Sequence, residues 1–139
     1  MSQIVESPNA PRPVGAYPHA RRVGDFVFLS GVGPRLPGNG EIPGNRYDEF
    51  GNLVDYDIAA QTLSVFRNVR AILEAAGARW EDIVDVTVFL TNMQRDFPIF
   101  NELWREHFAD VNACRTTIEV GSLPTPIAVE VKVIAYVGA

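Results

Sequence analysis

The chain has little of what would make it a disulfide scaffold, a metalloprotein, a membrane protein or a nucleic-acid binder. Cys114 is its only cysteine, so no internal disulfide is available. The two histidines, His19 and His107, have no cluster of ligands around them, and no phosphate-cradling glycine loop is present, so neither a metal nor another cofactor is expected. No apolar run approaches the roughly 18 residues a membrane helix requires. Residues 1–6 lack the basic-then-apolar layout of a secretion signal, which leads to an expected cytoplasmic location. Twelve Lys and Arg against seventeen Asp and Glu leave a net charge of −5 with no basic stripe, which argues against nucleic acid or an acidic membrane as partner.

What remains is an ordinary globular composition, with 47% hydrophobic and 21% charged residues. A chain of 139 residues reads as one domain, 1–139, able to bury roughly two-thirds of its unfolded surface without crosslinks. Residues 20–23 and 26–30 alternate around Gly24-Asp25 and predict a β-hairpin. Residues 32–56 are rich in glycine and proline and read as a long irregular loop insertion, a kind of loop that is usually functional or disordered. Its Arg35, Arg46, Tyr47 and Phe50 favour function, because disordered linkers seldom combine them.

Helical spacing follows in Ile58, Thr62, Val65, Phe66, Val69, Ile72, Leu73 and Ala76, with Asp57 as cap and Gly77 as the left-handed stop. The β-branched run at 83–90 predicts a central strand. A second helix is signalled by Asp96 as cap, Pro98 in the first turn, and a core stripe of Phe97, Phe100, Trp104 and Phe108. Strands near 115–120 and 127–137 close the chain around a turn at 121–126. The order β-β-α-β-α-β-β is an α+β arrangement, two helices on one face of a single mixed sheet. In Val129-Glu130-Val131-Lys132-Val133 the valines meet the helices, while Glu130 and Lys132 point the other way. That partly polar second face needs a cover, and a subunit interface there would build a site between protomers.

Arg115, with Glu130 fifteen residues later, carries the chemistry. A guanidinium and a carboxylate facing one cleft make an anion clamp beside a proton-transfer group, which suits a small carboxylate. The bland alternatives are an Arg115 ion pair with Glu119 and a solvated Glu130 beside Lys132. Tyr17 has the alternative of packing under the first hairpin, and Ser30 of simply ending its strand.

The motifs Asn9-Ala10-Pro11, Gly15-Ala16-Tyr17, Phe28-Leu29-Ser30-Gly31, Leu73-Glu74-Ala75-Ala76-Gly77, Val88-Phe89-Leu90-Thr91, Phe100-Asn101-Glu102, Arg115, Leu123-Pro124 and Val129-Glu130-Val131 run in one order along nearly the whole chain. In that order they resemble the RidA (YjgF/UK) family of enamine and imine deaminases. The resemblance implies a chorismate-mutase-like fold and a homotrimer with a central barrel and three intersubunit clefts, working without a cofactor. It also implies that Arg115 holds the substrate carboxylate, that Glu130 orients a water or moves a proton, and that Tyr17 and Ser30 lie in the same cleft. Thr117 stands where the family often has a cysteine, and its backbone carbonyl is expected to help position the water.

The segments at 15–22 and 30–35, with the insertion, look like the 2-aminomuconate deaminase branch. The implied reaction is hydrolysis of 2-aminomuconate to 4-oxalocrotonate (2-oxohex-3-enedioate) and ammonia, in aminophenol, nitrobenzoate or tryptophan catabolism. Such a dicarboxylate places its second anion about 6 to 7 Å from the first, so a second cation is expected. Arg35 is the first candidate, with His19 and Arg22 as alternatives. Two other functions stay open: a general enamine/imine deaminase clearing 2-aminoacrylate-type intermediates, and a nonenzymatic carboxylate-binding or chaperone-like role.

Overall fold

The structure, a computed structural model, describes residues 2–138; Met1 and Ala139, the two ends of the expected domain, lie outside the described residues. Six strands form one mixed sheet: β1 (Ser2–Val5), β2 (Ala20–Val23), β3 (Phe26–Leu29), β6 (Ile83–Leu90), β7 (Cys114–Glu119) and β8 (Val129–Tyr136). Their spatial order is β1-β2-β3-β8-β6-β7, with β6 and β7 parallel and the other pairs antiparallel. Helices α1 (Ile58–Ala75) and α2 (Met93–Phe108) pack against one face, as the α+β reading expected. The sequence reading missed β1, which lies at the sheet edge exposed at every residue but Val5 and carries little pattern.

The two helices differ in how legible their boundaries are. Asp57 caps α1 by accepting from the Ala60 N–H at 3.0 Å. Gly77, at φ 77°, ends it in a Schellman motif, with Ala78 N–H reaching the Leu73 carbonyl and Gly77 N–H reaching that of Glu74. For α2 the expected cap is corrected: Asn92 accepts from the Arg95 N–H at 3.0 Å, so the helix starts a turn earlier. Asp96 is fully buried and accepts from the Tyr56 hydroxyl at 2.7 Å. Pro98 therefore lies past the first turn and deletes the helical bond to the Gln94 carbonyl.

Val86, Val88 and Leu90 of β6 and Val129, Val131 and Val133 of β8 are almost fully buried under the helices, together with Val65, Val69, Leu73 and Phe100. Cutting Phe100 or Leu73 to alanine in such a core costs about 2–5 kcal/mol. The opposite face of the sheet displays Phe26, Phe28, Ile118 and Tyr136, each more than a third exposed, around the half-buried Glu130 and Lys132.

The insertion at 32–56 is more ordered than the sequence suggested. It holds a small hairpin of β4 (Arg46–Tyr47) and β5 (Leu53–Asp55). Buried polar side chains of α1 fix it: Ser64 Oγ donates to the Pro34 carbonyl, Asn68 Nδ2 to the carbonyls of Gly33 and Arg35, and Gln61 Nε2 to Asn45 Oδ1. Gly44, at φ 81°, leaves no room for a Cβ, which would fall 2.5 Å from that of Asp57.

Candidate functional site

Arg115 stands on β7 directly beside Val86, and neighbouring residues of parallel strands share a face, so its side chain lies on the helix side at the sheet edge. There α2 receives it. Asn101 Oδ1 accepts from Nη1 at 2.9 Å, and the guanidinium carbon lies 5.0 Å from the Trp104 ring centre and 5.5 Å from that of Phe97. Phe97 and Trp104 are only half buried, which revises their expected role as pure core: their outer faces form the seat of the cation. Among the described residues no carboxylate lies within ion-pair distance of Arg115; Glu119 instead accepts from the Met93 N–H at 2.8 Å. Burial pushes the guanidinium below its ordinary value, so a bound anion would relieve a charge that the protomer leaves unpaired. Thr117, two residues on, has a buried hydroxyl with no partner among the described residues.

Glu130 belongs to a different place. It sits beside Phe89, out of phase with the buried Val86, Val88 and Leu90, and so faces away from the helices. Its carboxylate covers Gly31 so closely that a Cβ there would be 2.7 Å from Oε2 and would displace the carboxylate. Burial pushes Glu130 above the ordinary glutamate value of 4.5. Tyr17, Ser30, Gly31 and Arg35 line one small cleft with His19, of about 40 Å³. That is room for a water or two and not for an imino acid. The Ser30 hydroxyl donates to the Pro18 carbonyl at 2.7 Å, and Tyr17 is 43% exposed at the mouth.

The expectation that Arg115 and Glu130 share a cleft does not hold within one protomer: they face opposite sides of the sheet, with β6 between their strands. The candidates for a second cation also separate. His19 is buried and both ring nitrogens are engaged, Nδ1 accepting from the Ser7 N–H and Nε2–H donating to the Pro11 carbonyl, so it braces the N-terminal segment and has no atom left for substrate. Arg22 folds back onto the Gly24 carbonyl and Asp25 of its own turn. Arg46 pairs with Asp55. Of the arginines considered, Arg35 lines the cleft of Tyr17 and Ser30, its Nη2 donating to the Arg12 carbonyl at 2.7 Å. A larger groove of about 410 Å³, between Tyr56, Thr91 and residues 121–128, contains none of the predicted site residues.

The sequence profile of the family described as Endoribonuclease L-PSP matches residues 7–137. The solved structure of RidA from an Antarctic Psychrobacter superposes with a TM-score of 0.83, at 32% identity over 96% of this chain and 98% of that one. The chain belongs to this RidA family. Among its relatives, a RutC family protein of Pyrococcus horikoshii is 38% identical over 136 residues, spanning 98% of both chains. The protein of Escherichia coli K12 named 2-iminobutanoate/2-iminopropanoate deaminase is 34% identical over 138 residues, covering 97% of this chain and 98% of its own.

Within this RidA-family fold, sequence reasoning missed the residues that hold Arg115. In the sequence Asn101 stands out only within Phe100-Asn101-Glu102, and Trp104 and Phe97 only as members of an apolar stripe. The available signal was spacing: 97, 101 and 104 fall on one α2 stripe at steps of four and three, and that stripe contains a polar residue.

Proposed function

We propose that this protein is a hydrolytic deaminase of small 2-imino acids. The observation that carries the reading is full-length similarity to a protein named 2-iminobutanoate/2-iminopropanoate deaminase. The geometry supports it through a cation without a carboxylate partner among the described residues and a carboxyl whose proton affinity burial has raised.

The site closes between protomers, Arg115 of one facing Glu130, Tyr17 and Ser30 of the next in the trimer the family resemblance implies. Arg115 binds the substrate carboxylate with parallel charge-assisted hydrogen bonds and so fixes C2. Glu130 takes a proton from water as the oxygen attacks C2, and the C=N electrons move to nitrogen, to which Glu130 passes that proton. From the resulting carbinolamine Glu130 takes the hydroxyl proton and hands it to nitrogen, the C=O bond forms as the C–N bond breaks, and ammonia leaves with Glu130 ionised again. The sum is imino acid plus water giving 2-oxo acid plus ammonia. The Thr117 carbonyl helps position the water.

One observation favours a second reading, 2-aminomuconate as substrate: Arg35 lies in the Tyr17 and Ser30 cleft, where a second carboxylate would end. Ammonia release from 2-iminobutanoate, 2-iminopropanoate and 2-aminomuconate, each generated in situ, tests both. Arg115-dependent turnover of the short imino acids supports the first reading. Turnover confined to aminomuconate and lost in Arg35→Ala supports the second, and no turnover of any of them refutes both.

A further inference from the structure

The ladder between β3 and β8 contains an irregularity that carries the site. From Phe28↔Ile134 to Val32↔Val131, the β3 side advances four residues while β8 advances three. The extra residue is a bulge at 29–31, and bulges re-aim side chains beside functional sites. It places Ser30 at the cleft and Gly31 under the Glu130 carboxylate. Lys132 spans this bulge from the facing strand, its Nζ donating to the Leu29 carbonyl.

Lys132 and Glu130 are two residues apart on one strand and point to the same face, which puts their Cβ atoms about 7 Å from each other. Both are half buried, and among the described residues neither has an ion-pair partner within 4 Å. Other titratable groups on this face are farther from Glu130. Asp85 of β6, Cys114 of β7 and Arg21 of β2 all sit at the level of Ile134 or beyond, past Lys132. At the opposite end, Tyr17 and Arg35 line the cleft at Ser30 and Gly31.

We infer that Lys132 is a positioning residue of the site: it ties down the bulge that presents Ser30 and Gly31, and it supplies a fixed positive charge beside Glu130. Burial pushes the Lys132 ammonium below its ordinary value and Glu130 above its own, and an opposite charge at about 7 Å offsets only a part of that cost. The catalytic consequence rests on the deaminase reading; the electrostatic one does not.

The test is a carbon-13 NMR titration of the Glu130 carboxyl in the intact protein, assigned with Glu130→Gln, for wild type, Lys132→Gln and Lys132→Arg. Lys132→Gln keeps a hydrogen-bond donor of fair length and removes the charge. It is expected to raise the Glu130 midpoint by roughly half a pH unit, the size expected for a unit charge at this distance near solvent. Lys132→Arg is expected to leave the midpoint in place. The same shift should appear in the acid limb of kcat/KM, and Lys132→Met, which also loses the tie to Leu29, should lower kcat/KM about tenfold. An unmoved midpoint in Lys132→Gln overturns the inference even in an active enzyme. A shifted midpoint in a protein without deaminase activity upholds it and refutes the function proposed above.

Discussion

The β7 edge and the β3–β8 bulge hold the two charges of the proposed site in contrasting ways. At the edge, Arg115 is preorganised by its own protomer, bonded to Asn101 and stacked between Trp104 and Phe97 on the helix side. At the bulge, Glu130 lies on the opposite, bare face of the sheet, over a glycine and beside Lys132. The anion-binding half is thus held by α2 of its own protomer, whereas the proton-transfer half lies on the sheet face that no helix covers, and burial shifts the proton affinity of both groups. A single copy holds both halves but cannot bring them to one substrate, which is why the proposed site needs a second copy.

The largest effect should come from the half that performs the chemistry. Glu130→Gln is expected to lower kcat by about 10²- to 10⁴-fold with little change in KM, the usual worth of a general acid–base group. The pH dependence sharpens the assignment. Glu130 must be ionised to accept a proton from water, and burial raises its pKa, so activity should fall as pH drops through a midpoint above 4.5, with that limb absent in Glu130→Gln. An acid limb that survives the substitution would assign the base to another group.

The anion-binding half should break differently. Arg115→Ala is expected to reduce kcat/KM by about 10²- to 10³-fold, mostly through KM, because it removes a charge-assisted bidentate contact. Arg115→Lys should recover little of it, since an ammonium retains the charge but lacks the fork and the flat face that Trp104 and Phe97 hold. Full recovery by lysine would mean that the aromatic seat contributes nothing. Smaller effects belong to the seat itself: Asn101→Ala should raise KM about tenfold and Trp104→Leu a few-fold, with kcat nearly unchanged in steady-state assays.

These halves were unequally legible in the sequence. Elements with one dominant period were read to within a residue or two: α1 with its Asp57 cap and Gly77 stop, and β6 at Ile83–Leu90. The alternation at 129–133 also placed Glu130 and Lys132 on the face away from the helices. Asn92 was overlooked as the α2 cap because Asp96, four residues on, is an equally good capping type, and only burial under Tyr56 distinguishes them. The insertion read as irregular because its order comes from Gln61, Ser64 and Asn68 on a distant helix. His19 looked like a binding residue because two backbone groups that occupy its ring are invisible in a linear string. The opposite facing of Arg115 and Glu130 required strand register, since Arg115 pairs with Val86 and Glu130 with Phe89, which alternate on β6.

The most direct test of the central claim, a site divided between copies, is to mix two inactive variants. Arg115→Ala and Glu130→Gln, co-expressed or unfolded and refolded together in equal amounts, form mixed rings. In these, about a quarter of interfaces pair an intact Arg115 with an intact Glu130 across the boundary. Imino acid deamination at substrate well below KM should then return to about a quarter of the wild-type rate, while each variant refolded alone stays about a hundredfold or more below it. Activity of the mixture no greater than the average of the two separate variants would contradict the account, because it would place both groups of the working site in one protomer or remove one of them from it.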